Sequence, residues 1–327
     1  MIAAQVAESH GFTVRALPLR FYRGFTDFYL QKYGGKTLPI KYSDANLFLQ
    51  QGYYGVGEDY GVLSIGDLLP IEGTLIKDPT CGTSKGIGEV VNSLLVLKKK
   101  RIVIALPEGC FFDLGVGFLS ALGGKFYNER GEAFLPVASS LSEIKSFDLT
   151  EPKNRLKDVK IELFIDKNRP LRSALSDASA FGARKTYIDV LENNIEYLVS
   201  QTDIFDHTPD FDGAGEGGGF CYMATSLFHA SVRSFSDLVF EEIQAGIDDS
   251  DLVVSGEIGY FSSVVPGLSV ARIAELSSAK NKPFFPFSDD EKYGAGSLFS
   301  ADKTRKDNRI LLPDRLRSSL EGIFAIQ

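Results

Sequence analysis

Few of the residues that make chemistry easy to recognise are present. Three cysteines (Cys81, Cys110, Cys221) and three histidines (His10, His207, His229) are spread over 327 residues. The cysteines have neither metal-ligand nor disulfide-framework spacing, and a sparse, odd count fits a reducing cytoplasm. Cys110, just beyond an apolar strand, reads as a small buried hydrophobe. The histidines accompany no serine or cysteine partner motif, so nucleophilic catalysis has no specific support. No apolar stretch reaches the length of a membrane span. The N-terminus lacks the basic and apolar regions of a secretion signal. A soluble cytoplasmic protein with no membrane partner is expected. Excess positive charge is also missing: the net charge is −8, which argues against nucleic acid as a partner. The one basic run, Lys98–Arg101, suits a helix end, where cations complement the dipole.

What is present is an alternation of two patterns. Short apolar runs suited to buried strands occur at Phe12–Leu17, Arg101–Leu106, Val159–Ile165, Asp251–Val254, Pro283–Phe287 and Gly322–Ile326. Amphipathic stretches lie between them at Ile87–Leu97, Leu114–Leu122, Ile188–Val199, Phe235–Ile247 and Leu268–Ala279. This order predicts an α/β fold with largely parallel sheets and helices on both faces. The length suits two domains. Thr37–Gly73 lacks a helical period and predicts antiparallel strands and loops. Thr150–Asp158 and Asp206–Asp212 read as exposed connections.

Asp212–Gly219 reads D-G-A-G-E-G-G-G and opens onto a helix-compatible run, Phe220–Phe228. Glycines permit positive φ and close approach to the backbone, and successive N–H groups at a helix start attract anions. A glycine-rich flexible loop is the alternative. Gly213, Gly215 and Gly218 satisfy G-x-G-x-x-G, but no apolar strand precedes them, and Asp237 falls inside a predicted helix. A dinucleotide-binding unit is therefore disfavoured. No P-loop occurs. Asp203, Asp206, Asp210 and Asp212 lack the register of an EF-hand and read as a solvated loop.

Open α/β sheets place ligands at the C-terminal ends of their strands. Asp113, Asp166 and Glu257 fall beyond such ends and can serve as metal ligands or as the base for a substrate hydroxyl. Lys85, Lys167 and Arg169 can carry anion charge. Taken singly, each also suits a cap or a surface charge.

In order, these segments resemble the glycerate kinase family of bacterial ATP-dependent sugar-acid kinases. Ser84–Glu89 is similar to its S-Y-G-T-G-E, with Gly86 and Gly88 in the helix start. Pro107–Gly117 is similar to G-G-S-A-T-N-D-G-G-A-G, retaining Asp113, Gly115 and Gly117. Ile165–Leu171 is similar to C-D-V-D-N-P-L, retaining Asp166 and Pro170. The glycine run is similar to G-A-G-A-A-G-G-L-G, retaining Gly213, Ala214, Gly215, Gly218 and Gly219, and Asp251–Glu257 is similar to D-L-V-I-T-G-E. The resemblance implies ATP-dependent phosphorylation of a hydroxyl of D-glycerate or a related small hydroxy acid, with Mg²⁺. It implies Asp113, Asp166 and Glu257 as catalytic, with Asp166 and Glu257 on the metal. Gly86, Gly88, Lys85, Arg169, Gly213, Gly215, Gly218 and Gly219 would face the nucleotide. It also implies two α/β domains: a flavodoxin-like outer domain over 1–40 and 250–327, incomplete for want of a first strand and closing helix, and an inserted domain over 41–249. Departures are concentrated at polar positions. P-M-A-D-G-G-E-G-T is Pro18–Thr26 without its acidic pair, T-N-D is Phe111-Phe112-Asp113, and D-N is Asn168-Arg169. They support an alternative: a catalytically impaired homologue that binds small molecules or partners.

Overall fold

The computed structural model describes residues 2–15, 24–69, 78–106, 111–165, 168–175, 178, 183–200, 203–205, 208–257 and 270–288. The chain divides into two compact units, Met1–Leu19 with Ser236–Gln327, and Arg20–Phe235. Both are α/β. Among the described residues no helix is long and apolar enough to cross a membrane.

In the first unit, α1 is Ile2–Ser9. In the second, α2 (Phe25–Tyr33) precedes three strands, β1 (Lys36–Ser43), β2 (Leu49–Val56) and β3 (Tyr60–Ser64). Then come α3 (Ile65–Leu68), α4 (Lys85–Val96), β4 (Arg101–Leu106) and α5 (Val116–Ala121). A small antiparallel sheet follows, β5 (Lys125–Tyr127), β6 (Ala133–Phe134) and β7 (Ser146–Asp148), in the order β6-β5-β7. The unit closes with α6 (Thr150–Leu156), β8 (Lys160–Ile165), α7 (Lys185–Ser200), α8 (Phe220–Phe228) and β9 (Ser231–Ser234). Helix α9 (Phe235–Asp248) begins at the division between units. In the first unit, β10 (Val253–Glu257) and β11 (Phe284–Ser288) pair in parallel, with α10 (Val270–Ala279) between them in sequence.

The main sheet runs β1-β2-β3-β4-β8-β9. Its β1–β3 portion is antiparallel, as the aperiodic Thr37–Gly73 stretch predicts, and β3-β4-β8-β9 is parallel. Five consecutive buried residues in β4 and again in β8 reflect cover on both faces. The register sets those faces. Val62, Val103, Ala105 and Phe164 share one, where Phe164 meets Phe25 of α2 at a centroid distance of 5.5 Å. Leu63, Ile104 and Leu163 share the other, within the core that also holds Ile87 and Val91 of α4 and Phe118 of α5.

A buried carboxylate sits on the first face. Glu162 is 3% exposed and pairs with Arg101 through two 2.9 Å hydrogen bonds, from Nε and Nη2. Arg101 Nη2 also donates to Tyr29 Oη at 2.8 Å, and Lys160 reaches Glu162 at 2.9 Å. Tyr29 and the Arg101–Glu162 fork thereby tie α2 to the start of β4 and β8. Burial pushes the Tyr29 phenol up to about 12, so it stays neutral.

Strand β4 and helix α8 fall where the sequence predicts them, and β8, β10, β11, α4, α5, α7, α9 and α10 do so to within about three residues at either end. Three expectations need correction or fall elsewhere. Thr150–Leu156 is a helix, not an exposed connection. It buries only Pro152 and Leu156, too few apolar residues to show a period, and Asp148 accepts from its Thr150 N–H at 2.9 Å. Phe12–Arg15 forms no strand despite its alternation, having no ladder partner among the described residues. The rest of that predicted strand and all of Gly322–Ile326 lie outside the described residues.

Glu162 yields a pH prediction. The hydrogen bonds from Arg101, against the opposing effect of burial and with the help of Lys160, lower its pKa to about 2. A depressed carboxylate contributes stability above its unfolded pKa and loses it as pH falls through the folded one. On the order of 3 kcal/mol should therefore disappear between about pH 4.5 and pH 2. Urea titrations across that range should show a flatter dependence for Glu162→Gln than for the natural protein; equal slopes would refute the assignment.

Candidate functional site

Helix α5 follows β4, the glycine run is hydrogen-bonded to the segment that leaves β8, and the polar groups in each place are bound within the protein. Asp113 is the centre. It is fully buried, and its Oδ2 accepts from Ser84 N (2.8 Å), Ser84 Oγ (3.0 Å), Gly117 N (3.1 Å) and Thr83 Oγ1 (3.2 Å). Its Oδ1 accepts from Gly115 N at 3.1 Å. Ser84 is the N-cap of α4 and Gly115 the N-cap of α5. One carboxylate therefore lies at two helix N-termini, where orphan N–H groups and the helix dipoles favour negative charge. Ser84 Oγ relays the arrangement by accepting from Phe118 N at 2.9 Å, as does Thr83 Oγ1 from Lys85 N at 3.3 Å. Burial pushes the Asp113 carboxyl up, and the donors of Ser84, Gly117 and Gly115 pull the other way; the net direction is upward. Phe111 and Phe112, which precede it, are buried in the core.

Lys85 is engaged beside this centre. Its ammonium pairs with Glu89 and reaches Ser43 Oγ at 3.3 Å. Glu89 in turn accepts from Ser43 N at 2.6 Å and from Ser43 Oγ at 3.1 Å. Against the upward push of burial, Lys85 and Ser43 hold the Glu89 carboxyl below its usual range. A third helix start is satisfied in the same way. Asp67 of α3 accepts from Gly24 N at 2.6 Å and Thr26 N at 3.4 Å, at the beginning of α2.

Every residue from Gly213 to Gly219 is buried. Gly217, Gly218 and Gly219 have φ of 61°, 63° and 86°, a conformation that favours glycine. A Cβ at Gly218 would stand 1.9 Å from Phe111 O, and one at Gly215 would stand 2.5 Å from Pro170 O. At Gly86 the obstacle is Ser43 O at 2.0 Å, and at Gly88 it is Phe118 O at 2.6 Å. Gly213 lies against Ile165 and Gly219 against Leu114. The atoms that approach these six glycines are the protein's own, a backbone oxygen at Gly86, Gly88, Gly215 and Gly218 and a side-chain carbon at Gly213 and Gly219. Gly213 N and Gly215 N both donate to Arg169 O, at 3.1 and 2.9 Å. The Arg169 side chain forks onto Glu216, from Nε to Oε1 at 2.8 Å and from Nη2 to Oε2 at 3.1 Å.

The structure thus brings Asp113, Lys85, Gly86 and Gly88 into one contact network, and Arg169 and the glycine run into another. Asp166 and Lys167 lie outside the described residues. Glu257 is the last residue of β10, opposite Ser288, and its side chain lies outside what is described. Among the described residues no group of three His, Cys, Asp or Glu side chains could hold a metal ion. His229 ends α8 with φ 53°. Cys221 is buried, and burial together with the Glu216 charge pushes its thiol up to about 12, so it is no nucleophile. Sequence reasoning gives no role to Ser84, Thr83 or Glu216. The first two carry a visible signal, a Thr-Ser pair ahead of an amphipathic run; the signal for Glu216 is that it alone is acidic inside the glycine run.

Removing the Asp113 carboxylate leaves up to five buried donors without their acceptor. Asp113→Ala should therefore cost roughly 3–5 kcal/mol in urea unfolding. Asp113→Asn should recover part of this, because its amide oxygen can replace Oδ2 while its NH₂ is set against the Gly115 N–H and the charge is lost. Gly218→Ala should cost about 2–4 kcal/mol from the contact with Phe111 O and the positive φ. Losses below about 1 kcal/mol for all three would contradict the geometry.

Comparison with known proteins places this architecture. A model of the glycerate kinase family matches residues 23–304. The chain is 26% identical over 215 residues to a glycerate kinase of Bacillus subtilis (strain 168), covering 63% of this chain and 56% of that protein. It is 29% identical over 215 residues to a glycerate kinase of Bacillus cereus (strain ATCC 10987 / NRS 248), with the same two coverages. It is 27% identical over 225 residues to a glycerate 2-kinase of Escherichia coli (strain K12), covering 66% and 58%. The matched chain thus spans well under two thirds of the length of these relatives. A crystal structure of a glycerate kinase 2 candidate from Salmonella typhimurium LT2 superposes with a TM-score of 0.68 at 20% identity, covering 99% of this chain and 92% of that one, and shows the same fold. The chain belongs to the glycerate kinase family.

Proposed function

We propose that the protein is a glycerate-kinase-type phosphotransferase of the cytoplasm, which moves a phosphoryl group from ATP to a hydroxyl of D-glycerate or a related small hydroxy acid. The observation that carries this reading is the match of the family model across residues 23–304. ATP, when bound with Mg²⁺, would supply the transferable phosphoryl group and the charge that neutralises it. Asp166 and Glu257 are the carboxylates this reading assigns to the metal. The described side chains form no metal set of their own.

The described residues have positioning roles in this reading. Asp113 holds the N-termini of α4 and α5 together at the end of β4, and with five donors on it the carboxylate acts through the helices rather than on a substrate proton. Lys85 keeps Glu89 and Ser43 together at the start of α4. The glycine run turns the chain into α8 behind the end of β8. Phosphoryl transfer depends chiefly on such positioning and on charge stabilisation.

A second reading is favoured by one observation. The charges that the resemblance would turn toward a nucleotide, Lys85 and Arg169, are paired with Glu89 and Glu216. A homologue that keeps the fold and binds small molecules without turning them over would look this way. Incubation with ATP, Mg²⁺ and a panel of hydroxy acids separates the two. Phosphorylated product is expected, with D-glycerate or a close analogue the best substrate. Absence of product across the panel, together with a thermal shift on adding ATP or a hydroxy acid, would replace the kinase with the binding protein.

A further inference from the structure

Two segments at the end of β8 are sewn together largely through one residue. Arg169 O accepts from Gly213 N and Gly215 N, at 3.1 and 2.9 Å. Arg169 N donates to Glu216 Oε1 at 3.2 Å, and the guanidinium donates to both Glu216 oxygens, at 2.8 and 3.1 Å. Two residues on, Leu171 N donates to Asp210 Oδ1 at 2.7 Å. The Glu216 side chain is 2% exposed and that of Arg169 15% exposed. The clamp therefore lies inside the protein, between the strand exit and the turn that starts α8.

Stability alone does not account for an ion pair in that position. Taking two charges out of water cancels much of their attraction, and an apolar pair of the same volume often stabilises a fold as well or better. What a forked Arg–carboxylate pair adds is geometry: two parallel hydrogen bonds fix distance and direction together. Apolar contacts would hold the glycine run less directionally, since its glycines carry no side chain to interlock. Glu216 is the sole residue of Gly213–Gly219 with a side chain longer than a methyl group. It is the only handle by which a side chain can orient the run.

We infer that Glu216, through its fork onto Arg169, is a positioning residue that sets where the glycine run stands relative to the segment leaving β8. Arg169 is the other half of that clamp. The consequence for nucleotide use rests on the phosphotransferase reading; the clamp itself does not.

The test compares the full-length natural protein with Glu216→Gln, which keeps shape and removes charge, and with Arg169→Lys, which keeps charge and removes the fork. Amide hydrogen exchange should speed about tenfold or more over residues 212–219 in Glu216→Gln and about threefold in Arg169→Lys, with β4 and β8 unchanged. In turnover assays the KM for ATP should rise about tenfold in Glu216→Gln, with kcat within threefold of the natural value. Exchange that is unchanged, or raised equally throughout the unit, overturns the inference. A loosened run with an unchanged KM overturns the consequence for nucleotide use and upholds the clamp. If Glu216→Gln does not fold, Arg169→Lys is judged on the same measurements. If the natural protein shows no turnover, the kinase reading falls, and local against uniform exchange still decides whether the clamp exists.

Discussion

A single buried carboxylate organises the end of the main sheet. Asp113 is the acceptor that N–H groups at the starts of α4 and α5 share. Its place in the chain explains how it comes to be shared. It leaves β4 only a few residues before α5 begins, so it caps the helix that follows and reaches the one that precedes the strand. The close approach that this needs is provided by Gly117, where a Cβ would stand 2.0 Å from Thr83 Oγ1. The polar centre and the glycine are one device. The same logic recurs at α2, where Asp67 reaches from α3 to the first N–H groups.

This changes what the glycines mean. A dense glycine run ahead of a helix is ambiguous between close approach by a ligand and close approach by the protein's own backbone, since both need the Cβ removed. At Gly86, Gly88, Gly215 and Gly218 the approaching atom is a backbone carbonyl oxygen. Sequence could reveal that something comes close and not what it is, because the partner carbonyls of Ser43, Phe118, Pro170 and Phe111 belong to segments up to 107 positions away from their glycines.

The legibility of the rest follows the same division. Strands β4 and β8 and the helices around them were readable because burial on both faces leaves continuous apolar runs and a helical period. Helix α6 was not, since two buried residues in seven give no period. Strand β9 was not, since Ser231-Val-Arg-Ser234 has no apolar run and is held by its parallel ladder with β8. At the site, sequence placed Asp113 at a strand end and Arg169 beside the next, and both are there. It could not show their partners. A charge is recognised locally, but whether it faces a ligand or an internal counter-charge depends on a contact such as Arg169 to Glu216, 47 residues apart.

The two ends of the parallel strands therefore do different work with the same chemistry. At the N-terminal edge, Arg101 and Lys160 begin β4 and β8, and both converge on Glu162 while Arg101 also holds Tyr29. At the C-terminal edge, Asp113 and the Arg169–Glu216 fork hold loops and helix starts instead of strands. Charge in the first set is spent on joining elements that hydrophobic burial already brings together. In the second it fixes backbone that burial cannot fix, because glycines present no side chain to pack. A bidentate pair or a multiply hydrogen-bonded carboxylate is worth its desolvation where direction matters more than energy. At this edge direction is what the loops and helix starts lack, and Asp113 and the Arg169–Glu216 fork supply it.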